Sequence, residues 1–187
     1  MKPLIILSIG IVFCLTSLRL YAQSTEPVAT SIKWMSFEDA MKLNSGYPKK
    51  KVFIDLYTSW CGWCKKMDAE TFIDPQIVKY MNDNFLAVKF DAERKDTVEY
   101  NGQKLVNQNP TTARSAHQLA IALLQGRMSY PSYVILDENS QKITAIPGYL
   151  KAPDFLPILM YFATNQHFSM PWEAYLKQYK SASTPKE

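Results

Sequence analysis

The stretch from Lys51 to Lys66 constrains this chain more than any other. It reads Lys-Val-Phe-Ile-Asp-Leu-Tyr-Thr-Ser-Trp-Cys-Gly-Trp-Cys-Lys-Lys. Val52 to Tyr57 is apolar except at Asp55, the pattern of a buried strand. Cys61-Gly62-Trp63-Cys64 then opens a helix-like segment. Two cysteines spaced by two residues at a strand-to-helix junction are a redox signature.

The chain has 3 cysteines, and their placement supports that reading. Cys14 lies in an N-terminal apolar run. Residues 1–22 read as a secretory signal: Lys2 is the charged start, Pro3 to Leu18 the apolar stretch, and Leu20-Tyr21-Ala22 supplies a small residue at the cut. The alternative is an uncleaved membrane anchor, but the run is short against the roughly 20 residues a span needs. Phe13 before Cys14 argues against a lipoprotein cut. The expected product is secreted or periplasmic after cleavage and keeps Cys61 and Cys64. A loop that small contributes little as a staple, because disulfide stabilisation grows with loop length. In an exported protein such a pair is there for chemistry.

At 187 residues the chain is long enough for one sizeable core. Its formal charge is +4, of which Lys2 and Arg19 account for two. The remainder is too small to imply a nucleic-acid partner.

Residues 23–30 form a polar lead, expected to be disordered. A first strand is expected over 31–35. Ser36 caps a helix through Leu43, with Asp39 three residues on. After the 52–57 strand, a helix spans about 63–70. Asp74-Pro75 restarts a helix, with Pro75 in its first position. Phe85 to Phe90 is the next buried strand. Thr97–Tyr100 and Gln103–Val106 flank Asn101-Gly102, a hairpin signal because both residues accept positive φ. A helix is expected over 113–124, then a strand to Leu136, a turn at 137–140 and a partner strand over 142–146. Ala152 to Thr164 is an amphipathic helix. A short helix over 171–179 and a polar tail over 181–187 complete the chain.

Asp55 is the one acid in an apolar strand. A buried, unpaired carboxylate is costly and its pKa rises; the alternative is an acid solvated at a strand end. His117, placed in a helix, and His167, placed in a loop, do not combine with the cysteines at zinc-finger spacing. No metal and no cofactor are expected.

These residues resemble the thioredoxin family, and most closely the thioredoxin-like proteins of the bacterial periplasm, including the C-terminal domain of transmembrane thiol:disulfide interchange proteins. Asp55 stands where the family has its buried acid, six residues before Cys61, and Trp60 where it has a tryptophan before the first cysteine. The resemblance covers about 31–165 and implies an α/β thioredoxin fold: a central mixed sheet flanked by helices, within a domain spanning 31–180. Residues 91–112 are an insert after the third strand, and the 171–179 helix is an addition. The insert is expected to form an edge near the substrate or partner surface; a decorative hairpin is the alternative.

The resemblance also implies roles. Cys61 would be the exposed attacking thiol at the helix start, where free N–H groups favour a thiolate. Cys64 would be the resolving thiol. Asp55 would relay a proton to and from Cys64, with Lys89 as its partner on the neighbouring strand. Tyr130-Pro131 stands where the family carries a cis-proline whose preceding backbone pairs with substrate. Trp60, Gly62, Trp63, Tyr130 and Pro131 would line the substrate cleft. Trp63 replaces a proline found in many thioredoxins, and Tyr130 a smaller residue, so both add bulk there.

The implied function is reduction of disulfides in exported proteins. The partners are protein disulfide substrates and, for electrons, a membrane-embedded donor; a monomer is expected. The alternatives are a disulfide oxidase or isomerase, and a non-catalytic binding module of the same fold.

Overall fold

The computed structural model describes residues 29–183. The expected signal segment, most of the polar lead and the end of the tail lie outside them.

Five strands form one mixed sheet. In sequence they are β1 (Trp34–Met35), β2 (Lys51–Tyr57), β3 (Phe85–Asp91), β6 (Ser132–Leu136) and β7 (Lys142–Pro147); in space they run β1-β3-β2-β6-β7. β1 and β2 run parallel to β3, whereas β6 is antiparallel to β2 and β7 antiparallel to β6. β2 is thus central. All but its last residue are buried, which is why its sequence is a nearly continuous apolar run.

Alternation along β2 sends side chains to two cores. Val52, Ile54 and Leu56 face α1 (Phe37–Asn44) and α4 (Gln118–Leu124), packing with Phe37, Ala40, Leu119 and Leu123. Phe53 faces α2 (Gly62–Glu70), α3 (Pro75–Asn84) and α5 (Ala152–Ala163), packing with Met67, Phe72, Ile77 and Phe155. Asp55, two residues on from Phe53, shares that second face. This is the architecture the resemblance implies.

Local signals fix the helix starts. The Ser36 side chain accepts from the Asp39 N–H at 3.0 Å. Asp74 accepts from the N–H groups of Gln76 and Ile77 at 2.9 and 3.2 Å, with Pro75 in the first turn. The hairpin β4 (Val98–Tyr100) and β5 (Gln103–Leu105) turns on Asn101 and Gly102 with φ of 51° and 73°. Positive φ at both central residues makes this the type I′ turn expected of Asn-Gly.

Three expectations need correction. The first strand is confined to Trp34–Met35 because residues 31–33 bond elsewhere. Asn82 donates to the Ser31 carbonyl and accepts from the Lys33 N–H, tying that segment to the end of α3. The helix expected over 113–124 starts only at Gln118. His117 is its N-cap, with Nδ1 accepting from the Leu119 N–H at 3.1 Å, so His117 ends a loop and is not within the helix. The last helix, α6, runs Trp172–Ser183 and not 171–179. It packs on α5 through Trp172 and Tyr175, both against Tyr161.

Candidate active site

β2 ends at Tyr57, and a short turn leads into α2. Cys61 is the N-cap of α2, in extended backbone with φ −73° and ψ 104°. Its Sγ accepts from the Cys64 N–H at 3.0 Å. Cys61 and Cys64 are joined as a disulfide. Partial positive charge at a helix N-terminus favours an anion there. The donor that meets Cys61 Sγ belongs to the residue one turn on.

Exposure does not separate the two sulfurs. Cys61 is 4% and Cys64 3% exposed, so Cys61 is not the open thiol expected. The indoles on either side take the solvent instead, Trp60 at 48% and Trp63 at 57%. What distinguishes Cys61 is its cap position.

Both tryptophans are held from the side. The Trp60 indole N–H donates to Glu93 at 2.8 Å, and its ring meets Tyr130 edge-on at 6.0 Å. The Arg114 guanidinium lies 4.8 Å from the centre of the same ring. Trp63 lies against Tyr149 at 5.5 Å, and the Lys66 ammonium is 5.4 Å from each of those two rings. Tyr130 is bonded to Pro131 through a cis peptide, and Ser132 starts β6 beside β2. Gly62, the first residue of α2, has open space where a side chain would stand.

A charged row runs from β2 across β3 to α2. Asp55 pairs in register with Lys89 on β3 and with Tyr133 on β6. Asp55 is 1% exposed, which excludes the solvated strand end. Lys89 Nζ donates to Asp55 Oδ2 at 2.7 Å and also to Asp68, one helical turn beyond Cys64. The ammonium is enclosed by the rings of Trp34, Tyr57 and Phe72 at 5.0 to 5.2 Å. Asp55 Oδ1 and the Tyr133 hydroxyl are buried with no hydrogen-bond partner.

Burial pushes the Asp55 carboxyl up to about 6; Lys89 pulls the other way by charge and hydrogen bond. For Lys89, burial disfavours the charge, but Asp55 and Asp68 outweigh it and its pKa is raised. The two results differ because the environments differ. The lysine has two carboxylates and some access to solvent, whereas the deeper carboxylate has one lysine. Burial, helped by the charge of Asp55, holds the Tyr133 phenol well above its ordinary range.

The structure therefore brings Asp55 and Lys89 into direct contact, joins Cys61 to Cys64, and sets Trp60 against Tyr130. Asp68, Arg114 and Glu93 were not apparent from sequence. Asp68 carried one usable signal, its spacing of four from Cys64, which puts both on one helix face. Arg114 and Glu93 carried none, because a loop delivers the first and a strand end the second.

The insert divides in two. Its hairpin points toward the β6–β7 turn, where the Tyr100 hydroxyl donates to the Ser140 carbonyl at 2.7 Å. Tyr100 also packs edge-on to Phe37 of α1. Trp60 is reached from the start of the insert by Glu93 and, past its end, by Arg114 on the segment leading to α4.

The family model described as thioredoxin-like domain matches residues 37–163. The chain is 28% identical over 137 residues to the thiol:disulfide interchange protein DsbD of Haemophilus ducreyi, covering 72% of this chain and 20% of that protein. It is 28% identical over 109 residues to the protein of the same name from Tatumella citrea, covering 57% of this chain and 15% of that one. The chain thus spans a fifth or less of these relatives' length. Among solved structures it resembles a thioredoxin-fold protein from Helicobacter pylori, with a TM-score of 0.53 at 16% identity, covering 83% of this chain and 88% of that one. It also resembles a DsbH oxidoreductase, with a TM-score of 0.52 at 17% identity, covering 76% of this chain and 91% of that one.

Proposed function

The chain belongs to the thioredoxin-like domain family, and from that premise we propose that it is an exported thiol-disulfide oxidoreductase that reduces disulfides in other exported proteins. The observation that carries the reading is the Cys61–Cys64 pair capping α2, with the Cys64 N–H on Cys61 Sγ. Export rests on the signal-like sequence of residues 1–22.

In the reduced protein, the Cys61 thiolate attacks one sulfur of a substrate disulfide. A Cys61–substrate disulfide forms and the other substrate sulfur leaves as a thiolate. Cys64 then passes its proton to Asp55. A base with a pKa of about 6 is matched to that task near neutral pH. The Cys64 thiolate attacks Cys61 Sγ, closing the Cys61–Cys64 disulfide and releasing the second substrate thiol. Two electrons have moved from the protein dithiol to the substrate. A dithiol donor, here a membrane-embedded one, returns them. Trp60, Gly62, Trp63, Tyr130 and Pro131 form the wall against which the substrate segment lies, and the enzyme acts as a monomer.

The test is equilibration of the Cys61–Cys64 pair with glutathione, together with turnover of a protein disulfide. A reductase should give a potential near the thioredoxin value of about −270 mV and turn over many equivalents. A potential near −120 mV would instead indicate an oxidase. A pair that does not exchange at all would leave only a binding module.

A further inference from the structure

The segment from β5 to α4 is tied down at its start by a buried side chain. Asn107 Nδ2 donates to the carbonyls of Glu93, Arg94 and Ser115, and its Oδ1 accepts from the Asn109 N–H and the Ser115 hydroxyl. At the far end of the segment, the His117 N–H donates to the Ala92 carbonyl at 2.7 Å and Gln118 bonds both ways with Val106. Between these anchors Arg114 takes a left-handed backbone with φ 61°, uncommon for a residue with a side chain. That places its exposed guanidinium on the face of Trp60, the residue before Cys61.

Among the described residues Arg114 has no carboxylate partner. The cation on the other side of the dithiol, Lys66, is already paired with Glu70 at 3.8 Å. Glu93 accepts the Trp60 indole N–H with one carboxylate oxygen and keeps its charge, but forms no ion pair with Arg114. A guanidinium held on the ring of the residue before Cys61, with no carboxylate paired to it, is suited to a carboxylate carried by the incoming chain.

We propose that Arg114 selects partner proteins, favouring disulfides whose flanking residues are acidic. This rests on the reductase reading above and names the substrate class for the same site. Residues 107–116, from the end of the insert to the start of α4, and not the hairpin tip, are then the partner-facing part of this region.

The test uses the full chain and three otherwise identical peptides, each with a disulfide flanked by Glu, Gln or Lys. KM and kcat are measured for each at low and high salt. The wild-type protein should show the lowest KM for the Glu peptide and the highest for the Lys peptide. The spacing should be roughly two- to fivefold per step, the range of exposed charge pairs, and should shrink as salt rises. Arg114→Glu should invert the order, Arg114→Gln should flatten it, and Arg114→Lys should restore most of it. Glu93→Gln should widen it. If Arg114 only packs on Trp60, Arg114→Gln would shift all three peptides equally, and that result overturns the proposal. So does a wild-type protein that reduces all three with one KM. If no peptide is reduced, the reductase reading fails and this inference falls with it.

Discussion

Lys89 Nζ stands 2.7 Å from Asp55 Oδ2, across a register pair of two parallel strands, with no solvent reaching the carboxylate. Burial still wins over the ion pair, and the carboxyl is held at about 6 against an ordinary 3.8. The folded state therefore binds the Asp55 proton more tightly than the unfolded state does. The cost of ionising Asp55 appears as pH rises from about 4 to 6, and is fully present at neutral pH.

Asp55→Asn should consequently stabilise the fold at pH 7 by roughly 1–3 kcal/mol, the upper figure being the raised pKa converted to free energy. The gain should shrink toward zero below pH 4, where the wild-type carboxyl is protonated. Urea melts of both proteins from pH 3.5 to 8 measure it. A variant less stable than wild type at pH 7 would show that the ion pair outweighs the desolvation.

Lys89→Met acts in the opposite direction. It leaves Asp55 and Asp68 facing each other with no cation between them. Breaking a buried pair by removing one partner costs about 3–5 kcal/mol, and the partial exposure of Asp68 lowers that to roughly 2–4. Without Lys89 the Asp55 carboxyl rises further above 6, so the loss should ease as pH falls toward 6 and level off below it, where Asp55 is protonated in both proteins. Denaturant melts at pH 5 and 7.5 compare the two.

His117 gives a second pH dependence with its own sign. Its Nε2 lies 3.0 Å from the Asp96 carbonyl and its Nδ1 accepts from the Leu119 N–H, so the neutral ring with hydrogen on Nε2 satisfies both contacts. Burial lowers its pKa. The unfolded state then binds the proton more readily, and stability is lost as pH falls through about 6.5. His117→Asn keeps a capping side chain and should remove this dependence, while costing some stability at pH 7.5. Parallel acid dependence in the two proteins would exclude His117 as its source.

Asn107 carries five hydrogen bonds and holds the start of the segment from β5 to α4. Asn107→Ala should cost about 2 kcal/mol, because it strands backbone groups that no water readily replaces. Amide exchange should quicken first in residues 107–117. Protection unchanged across that segment would show that its other anchors suffice.

The central strand, the dithiol helix and the Asp74-Pro75 restart were legible because each rests on a local signal: an apolar run, a cap, a proline. Lys89 was named as the partner of Asp55 only through the family resemblance; the β2–β3 register is what sets the two side by side. The start of α4 was missed for a tertiary reason. Ala113 to Ala116 have acceptable helix propensity, but Asn107 and the β3 end hold Ser115 and His117 by their backbones. Arg114 was invisible for the same reason, since its place on Trp60 depends on where a loop is tied. The exposure expected of Cys61 failed because burial at a helix start depends on tertiary packing, which the local pattern does not give.

The central claim is that Cys61 attacks and Cys64 resolves. Its most direct test is trapping. Single variants Cys64→Ser and Cys61→Ser are each reacted with a disulfide-bonded protein substrate near pH 7, and intact mass follows the covalent adducts. Cys64→Ser should accumulate a mixed disulfide through Cys61, because nothing remains to resolve it, and Cys61→Ser should accumulate almost none. Equal adduct from both variants, or more from Cys61→Ser, would contradict the assignment.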